Sequence, residues 1–332
     1  FSVANNLVVG SGSGSEGMTI FSDSTNDGII AFADGTSDPA YRMGQIIYSH
    51  NSNNMQFRTN GNTNRLVINA DGNSTFTGIV TATQFVPTEQ RYGTKNLLIN
   101  GAMQVAQRGT SHTGSGGYTT IDRMISTNQV INVDLVTTQH ALTSSDSGPW
   151  EEGFRYSLHQ AQGYQGSVNA NSYVTMGQRI EAQYIAQSGW NYLSSSSYLT
   201  LSFWVRSTTA QTYYGFLKTK DGTEKMYPFS FAISANTWTK ITKNIPGDSN
   251  LQFDNNNSEG LELNISAYWG TDFTDAGTSL NTWANWSSSA RTPVNTSTWF
   301  TTNGGSFEVT GIQLEVGLYA TPFEHLSYGE EL

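Results

Sequence analysis

Cysteine is absent from the sequence, and charged residues are scarce. Without cysteine, the chain cannot form a disulfide framework, a thiolate zinc site or a cysteine nucleophile. Charged residues make up 13% of the 332 residues, which is about half of their share in typical soluble domains. Hydroxyl and amide side chains must therefore provide most of the polar surface.

Long apolar runs and an excess of positive charge are missing as well. No run of about 18 apolar residues occurs, so we expect no insertion into a membrane. The formal net charge of -10 argues against a protein that binds nucleic acid through its phosphates or is drawn to an anionic membrane. The chain begins at Phe1 and has no signal-peptide pattern, so we expect a fragment of a longer protein.

The residues that are abundant favour β-structure. Aromatic residues reach 12% and the sequence has 33 glycines, together with many Ser, Thr and Asn residues. Aromatic and β-branched side chains suit a pleated sheet, and small polar residues stabilise tight turns. The composition predicts an all-β protein.

Composition changes near residue 95. All eight tryptophans lie at or after Trp150, and residues 85–95, which include Pro87 and Gly93, have the character of a linker. Residues 1–94 contain too few apolar residues for a core of their own. We therefore predict a trimeric β-rich shaft for residues 1–94 and a separate head for residues 95–332. The strands predicted in the shaft are residues 18–21, 28–33, 45–50, 55–59, 65–70 and 75–85.

The head contains several segments with strand character separated by long connections. This organisation favours a β-sandwich of the jelly-roll type. Alternation places Phe203 on the core face of its strand and Trp204 on the opposite face. We expect that second face, with Trp204, Tyr214 and Phe216, to pack against neighbouring subunits or an internal strand. The strands predicted in the head are residues 198–206, 212–218, 227–233, 238–245, 261–269 and 306–316.

Catalytic and metal-binding patterns find little support. The five histidines show no metal-ligand spacing, and neither a nucleophile elbow nor a phosphate-binding loop occurs. The sequence predicts no enzyme, no cofactor and no metal. Two alternatives stay open: Asp272 and Asp275 could form a pair of glycosidase carboxylates, and residues 23–28 with Asp34 resemble a calcium loop, although an ordinary turn is the favoured interpretation.

A long irregular segment, residues 271–302, carries the strongest functional signal. It combines tryptophans, which stack on the C–H face of a sugar ring, with amide, carboxylate and guanidinium groups that bind sugar hydroxyls. The alternative interpretation is that these tryptophans are partly buried and fix the loop. The predicted glycan-binding residues are Trp283, Trp286, Trp299, Asp272, Asn285 and Arg291, with Trp150 as a further candidate.

Several segments resemble known proteins. Residues 16–72 resemble the repeat-like segment in tail fibres (receptor-binding proteins) of marine phages that infect cyanobacteria. NLLINGAMQVAQRGTS (96–111) and GIQLEVGLYATPFEHLSYGEEL (311–332) look like the opening and the close of the head module in such fibres. YLTLSFWVR (198–206) is similar to strands of the carbohydrate-binding jelly rolls attached to glycan-active enzymes.

The resemblance implies a homotrimeric, extracellular tail fibre protein of the virion that binds host surface glycan, such as lipopolysaccharide, during adsorption. A phage tail or baseplate protein would hold it through a missing N-terminal region, and its C-terminus would be a processed or truncated end. No binding residue transfers from the family. Two other functions remain open: a carbohydrate-binding module of a secreted glycan-degrading enzyme, and a depolymerase tailspike. The Gly- and Asn-rich shaft favours the fibre.

Overall fold

A computed structural model describes residues 17–78, 80, 95–114, 116–129, 135–162, 168–294 and 297–331. The chain divides into two compact units, Phe1–Pro87 and Thr88–Leu332, and each is described by itself. Of the predicted linker at residues 85–95, only Lys95 is among the described residues, so the boundary between residues 94 and 95 stays a prediction.

The described residues of the first unit form one antiparallel sheet whose five strands pair in sequence order. These are β1 (Asp27–Phe32), β2 (Gly44–Ser49), β3 (Asn54–Thr59), β4 (Thr63–Ile68) and β5 (Ser74–Phe76). Asn60 and Gly61 both have positive φ and form the tight turn that an Asn-Gly pair predicts. Residues 18–21 do not form the predicted strand. Much of the strand predicted at residues 75–85 lies outside the described residues.

One face of this sheet is apolar and open. The register places Ile30, Phe57 and Phe76 in one row across the strands, and Phe32 lies on the same face of β1. All four side chains are exposed, Phe32 to 59%. Ile47 is the single buried hydrophobic residue in the described part of the unit. A sheet with so little buried apolar surface is marginally stable in water by itself.

In its described residues, the second unit is a sandwich of two sheets with six strands each. The front sheet contains β7 (Ile125–Gln129), β10 (Tyr173–Glu181), β12 (Gln211–Thr219), β13 (Lys225–Ile233), β15 (Glu259–Trp269) and β16 (Ala284–Asn285). The back sheet contains β6 (Ser111–Thr113), β8 (Leu135–Ala141), β9 (Tyr156–Gln162), β11 (Tyr198–Ser207), β14 (Thr239–Pro246) and β17 (Ser306–Val316).

All strand pairs in both sheets are antiparallel, and the strand order departs from the sequence order. The front sheet has the order β16-β13-β12-β15-β10-β7 and the back sheet the order β14-β11-β17-β9-β8-β6. One helix, α1 (Ala182–Ala186), follows β10. None of the helices in the described ranges is long and apolar enough to cross a membrane. The predicted all-β sandwich is confirmed.

The core lies between the two sheets. Alternation in β11 directs Leu199, Leu201, Phe203 and Val205 inward, and all four are fully buried, as predicted. They belong to the same cluster as residues from the inner face of the front sheet, among them Leu263 of β15. Each of the six head strands predicted from the sequence is observed within two residues of its predicted bounds.

The outer face of the back sheet is covered by the chain itself. Trp204 of β11 is half-buried, and its Nε1 donates to Glu152 Oε2 at 3.0 Å, while Trp150 and Phe323 pack into the same cluster. A loop around residues 142–154 therefore lies over this face. The prediction that Trp204, Tyr214 and Phe216 share one face is wrong, because Tyr214 and Phe216 belong to β12 of the front sheet.

Candidate functional site

The outer face of the front sheet carries a groove of about 240 Å³. Two rows of paired residues cross its floor: Lys218, Glu262 and Arg179 form one row, and Phe216, Asn264 and Gly177 form the next. These residues point outward because their neighbours in each strand point into the core. Residues of the 271–294 segment lie along the groove and complete its lining.

Gly177 lets two strands of the front sheet approach closely. A Cβ added to Gly177 would lie less than 2 Å from the main-chain oxygen of Leu263, so the close approach of β10 and β15 excludes any side chain there. Gly177 therefore sets the spacing of the strands that carry Arg179 and Asn264.

Aromatic rings cluster at the centre of the groove. Phe216 and Trp269 are almost fully buried, and their ring centroids lie 6.4 Å apart in a stacked arrangement. Tyr173 lies 5.6 Å from Trp269, and Trp286 lies 5.6 Å from Phe216. Tyr173 and Trp286 are only half-buried, so part of each ring is available to a ligand. Such rings suit the C–H face of a sugar.

Arg291 is held among these rings. Its guanidinium carbon lies 4.6 Å from the ring centroid of Trp269, 4.3 Å from that of Phe273 and 5.4 Å from that of Trp286. Its Nε donates to the main-chain oxygen of Ser288 at 3.1 Å. Burial lowers the pKa of Arg291, but a guanidinium keeps its charge in proteins. Its position is therefore fixed by stacking while its charge is partly withdrawn from water.

The other cations of the groove are paired with carboxylates. Lys218 lies 3.1 Å and Lys220 2.7 Å from Glu224, and Arg179 lies 3.3 Å from Glu259. Burial lowers the pKa of Lys218 and raises the pKa of Glu259. Each of these charges has an ion-pair partner, and the pairing holds the charged side chain in a fixed position in the groove.

Some buried polar atoms of the groove have no hydrogen-bond partner within the chain. Among the described residues eight such side-chain atoms occur, and three belong to the lining: Glu259 Oε1, Asn264 Oδ1 and Trp269 Nε1. A buried polar atom without a partner costs about 1–3 kcal/mol. These two acceptors and one donor are buried beneath the groove surface, so they are not open to the hydroxyls of a ligand at that surface.

Two of the residues predicted for glycan binding meet in this groove, namely Trp286 and Arg291. Trp299 is contradicted by the structure: its side chain is 0% exposed, and its Nε1 donates to the main-chain oxygen of Ser306 at 3.0 Å. A fully buried indole cannot stack on a sugar from solution. It packs against Phe300 in the core, so it fixes the loop, as the alternative interpretation held.

The remaining predicted residues lie outside the lining of the groove. Trp283 donates its Nε1 to the main-chain oxygen of Pro246 at 2.7 Å, and Asn285 accepts from Lys225 at 2.7 Å. Asp272 is exposed on a 3-10 turn. Trp150 stacks under Arg155, whose guanidinium carbon lies 3.8 Å from the ring centroid, on the back-sheet side.

The alternative sites gain no support from the geometry. Asp275 accepts from the main-chain N–H of Gly277 at 2.7 Å and, like Asp272, is not part of the groove lining. In the calcium-like segment, Asp23 Oδ1 accepts from the main-chain N–H of Thr25 at 2.8 Å, which is the bonding of an ordinary Asx turn. Within the described ranges, no group of three or more His, Asp or Glu side chains could hold a metal ion.

Comparisons with known proteins give likenesses in structure alone. No model of a known protein family matches the chain, and no curated protein matches it. The family 11 carbohydrate-binding module of a Clostridium thermocellum cellulosomal cellulase matches with 11% identity and a TM-score of 0.31, over 63% of this chain and 97% of the module.

Two further solved structures are similar to the chain. A cyclase from Fischerella sp. TAU matches with 9% identity and a TM-score of 0.36, over 68% of this chain and 97% of the cyclase. The N-terminal cellulose-binding domain of Cellulomonas fimi β-1,4-glucanase C matches with 7% identity and a TM-score of 0.27, over 50% of this chain and 80% of that domain. At these values the likenesses assign neither a function nor a site to this chain.

Proposed function

We propose that the front-sheet groove binds a segment of a glycan chain. One observation carries the proposal: the half-buried rings of Tyr173 and Trp286 line the same groove as Arg179 and Arg291, whose guanidinium groups hold hydrogen-bond donors. A sugar presents both complementary surfaces, since its C–H face packs on rings and its hydroxyls both donate and accept. A purely apolar ligand would leave the guanidinium donors without partners.

We also propose the biological setting that the sequence resemblance implies. The chain would be the distal part of a homotrimeric tail fibre on the virion of a cyanobacterial phage, held by a tail or baseplate protein and binding host lipopolysaccharide. The open apolar row of Ile30, Phe57 and Phe76 supports assembly, because a contiguous exposed apolar surface favours association. Three grooves on one fibre would bind a cell surface with avidity. The alternative is that the chain is a carbohydrate-binding module of a secreted enzyme, which would use the same groove.

Glycan cleavage has one observation in its favour. Glu259 and Glu262 both line the groove, and burial raises the pKa of Glu259, as a general acid would require. The ion pair of Glu259 with Arg179 opposes this role, because it favours the ionised carboxylate. Release of reducing ends from purified lipopolysaccharide, lost in Glu259→Gln, would establish cleavage in place of binding alone.

The test of glycan binding compares two half-buried tryptophans. The labelled protein and the variants Trp286→Ala and Trp150→Ala are applied to an array of bacterial surface glycans and lipopolysaccharides. We expect Trp286→Ala to lower the affinity for the bound glycans about tenfold or more, since loss of one stacking ring costs on the order of 1–3 kcal/mol. Trp150→Ala, which removes a ring outside the groove, is expected to bind like the unchanged protein.

Melting curves of both variants serve as the control for folding. Binding to no glycan on the array, or equal losses of affinity in the two variants, would refute the groove as the binding site. A loss of affinity confined to Trp150→Ala would indicate a binding site on the back-sheet side, where Trp150 lies.

A further inference from the structure

We propose that the groove selects a sugar carrying an anionic substituent, a carboxylate, sulfate or phosphate ester, and that Arg291 binds this group. The inference rests on the proposed glycan function and names the class of ligand. Its starting point is a difference among the groove cations: Arg179 and Lys218 each have a carboxylate partner, whereas Arg291 has no ion pair within the described ranges.

The bonding of Arg291 leaves most of its donors unused. Its main-chain N–H donates to the oxygen of Phe273 at 2.8 Å, and Nε donates to Ser288. The terminal guanidinium nitrogens have no hydrogen-bond partner in the described part of the chain. Because the rings of Trp269, Phe273 and Trp286 contact the guanidinium by stacking, its edge remains the bonding surface, and this edge matches carboxylate, sulfate or phosphate oxygens in a two-bond arrangement.

The surroundings of Arg291 favour an anion over a neutral hydroxyl. Its charge is partly withdrawn from water, and Glu262 attracts it only from beyond ion-pair distance, so an incoming anion offsets part of the cost of burial. The groove lining holds four cations (Arg179, Lys218, Lys220 and Arg291) and two carboxylates (Glu259 and Glu262). With Glu224, the partner of both lysines, four cations face three carboxylates, in a chain whose net charge is -10. The groove therefore has a small excess of positive charge in an acidic chain.

The overall negative charge restricts the ligand further. A nucleic acid or another dense polyanion would be repelled by a chain with ten more acidic than basic residues. A glycan with a single charge on one sugar meets Arg291 locally, while its neutral sugars contact the half-buried rings. The ligand class is thus an acidic glycan with sparse charges.

The test uses simple sugars and a pair of matched variants. Binding of sodium glucuronate, glucose 6-sulfate and glucose to the full chain is measured by ligand-observed saturation-transfer NMR, which tolerates a large assembly. Arg291→Met keeps the apolar contacts with the rings and removes the charge. Arg155→Met is the control, because Arg155 also stacks on a tryptophan, Trp150, but lies outside the groove.

We expect one or both acidic sugars to bind about tenfold more tightly than glucose, as a charge-assisted two-bond contact allows. Arg291→Met should abolish this preference, so that this variant binds the acidic sugars no more tightly than glucose, while Arg155→Met should keep the preference. Preference for glucuronate alone would identify a carboxylate site, and preference for the sulfate a sulfate or phosphate site.

Three outcomes would overturn the inference without deciding the proposed function. The first is equal binding of all three sugars to the unchanged protein. The second is a preference for the acidic sugars that survives in Arg291→Met, and the third is the absence of saturation transfer to all three sugars. The proposed function is decided separately, by the effect of Trp286→Ala on the glycan array.

Discussion

Replacing Glu308 by Gln should destabilise the head strongly, although Glu308 lies far from the groove in sequence and in the opposite sheet. Glu308 on β17 is 4% exposed. Its Oε1 accepts from Arg206 Nη2 at 2.8 Å, and its Oε2 accepts from the Ser157 hydroxyl at 2.9 Å. Its Oε2 also lies 3.0 Å from His140 Nδ1. The carboxylate thus joins four strands of the back sheet, its own β17 and the strands β8, β9 and β11.

The size of the effect follows from the electrostatics of this cluster. Burial alone would raise the pKa of Glu308, but the hydrogen bonds and charges of His140, His159 and Arg206 outweigh it and lower the pKa to about 2. Against the ordinary value of 4.5, this corresponds to about 3 kcal/mol of folding stability. Breaking a buried ion pair by removing one partner costs a similar amount, about 3–5 kcal/mol. Asp146, 2.8 Å from Arg206, keeps the expectation at the lower end.

The measurement is thermal unfolding of the full chain followed by circular dichroism. A loss of about 3 kcal/mol should lower the melting temperature of the head by about 6–12 °C. Glu152→Gln is the control, because the ion pair of Glu152 with Lys240 is half-exposed and should contribute less than about 1 kcal/mol.

The pH dependence provides an independent check. Since the folded pKa of Glu308 is depressed, its stabilisation is fully present above pH 4.5 and is lost as the pH falls toward 2. The difference in melting temperature between the unchanged protein and Glu308→Gln should shrink over that interval. If Glu308→Gln melts within about 2 °C of the unchanged protein near neutral pH, the reasoning about this cluster is refuted.

Three further predictions concern other parts of the chain. The hydrogen bond to Glu308 raises the pKa of His140 above 6.5. The stabilisation that His140→Gln removes should therefore be present below pH 6.5 and fade as the pH rises through the raised pKa. A difference in melting temperature between the two proteins that stays constant with pH would contradict this. Trp299→Ala should cost about 3–5 kcal/mol in urea unfolding because it empties a buried site, and a variant as stable as the parent would show that this indole is not structural. Light scattering should give three times the chain mass for the unchanged protein and a smaller mass for Phe57→Asp, whose charge would enter the proposed interface; a monomer in both cases would exclude the trimer.

Alternation predicted six of the twelve strands that the described residues of the head form. Residues 306–316 were predicted with the same bounds that β17 has. In contrast β10 escaped prediction although its buried residues Val174, Met176 and Ile180 are apolar.

β9 escaped prediction because Gln160 and Gln162 occupy buried positions of the strand. The Nε2 of Gln160 donates to Ser126 Oγ at 2.6 Å, and that of Gln162 donates to the main-chain oxygen of Trp299 at 2.8 Å. Polar residues that bond to distant partners leave no local pattern.

The candidate site was predicted only in part for a related reason. Composition singled out the tryptophan-bearing loop, and Trp286 and Arg291 do lie in the groove. Trp269 was assigned to a strand but not to the site. Trp269 faces outward because the register shifts between Val174 and Thr175, opposite this end of β15. A bulge of this kind changes the side of a residue without any signature in composition. Trp299 has the same composition signal as Trp286 and the opposite burial.

The two outer faces of the sandwich differ in a way that supports function at the front. On the back sheet the chain covers Trp204 with its own loop, and the main-chain oxygen of Glu152 is bonded to His325 at 2.8 Å. On the front sheet the rings of Tyr173 and Trp286 stay half-exposed, beside polar atoms without partners. A loop like that of the back sheet would bury these rings, which would stabilise the fold. The open front face therefore lacks a stabilisation that a covering loop would supply, and a ligand bound in the proposed site would supply it instead.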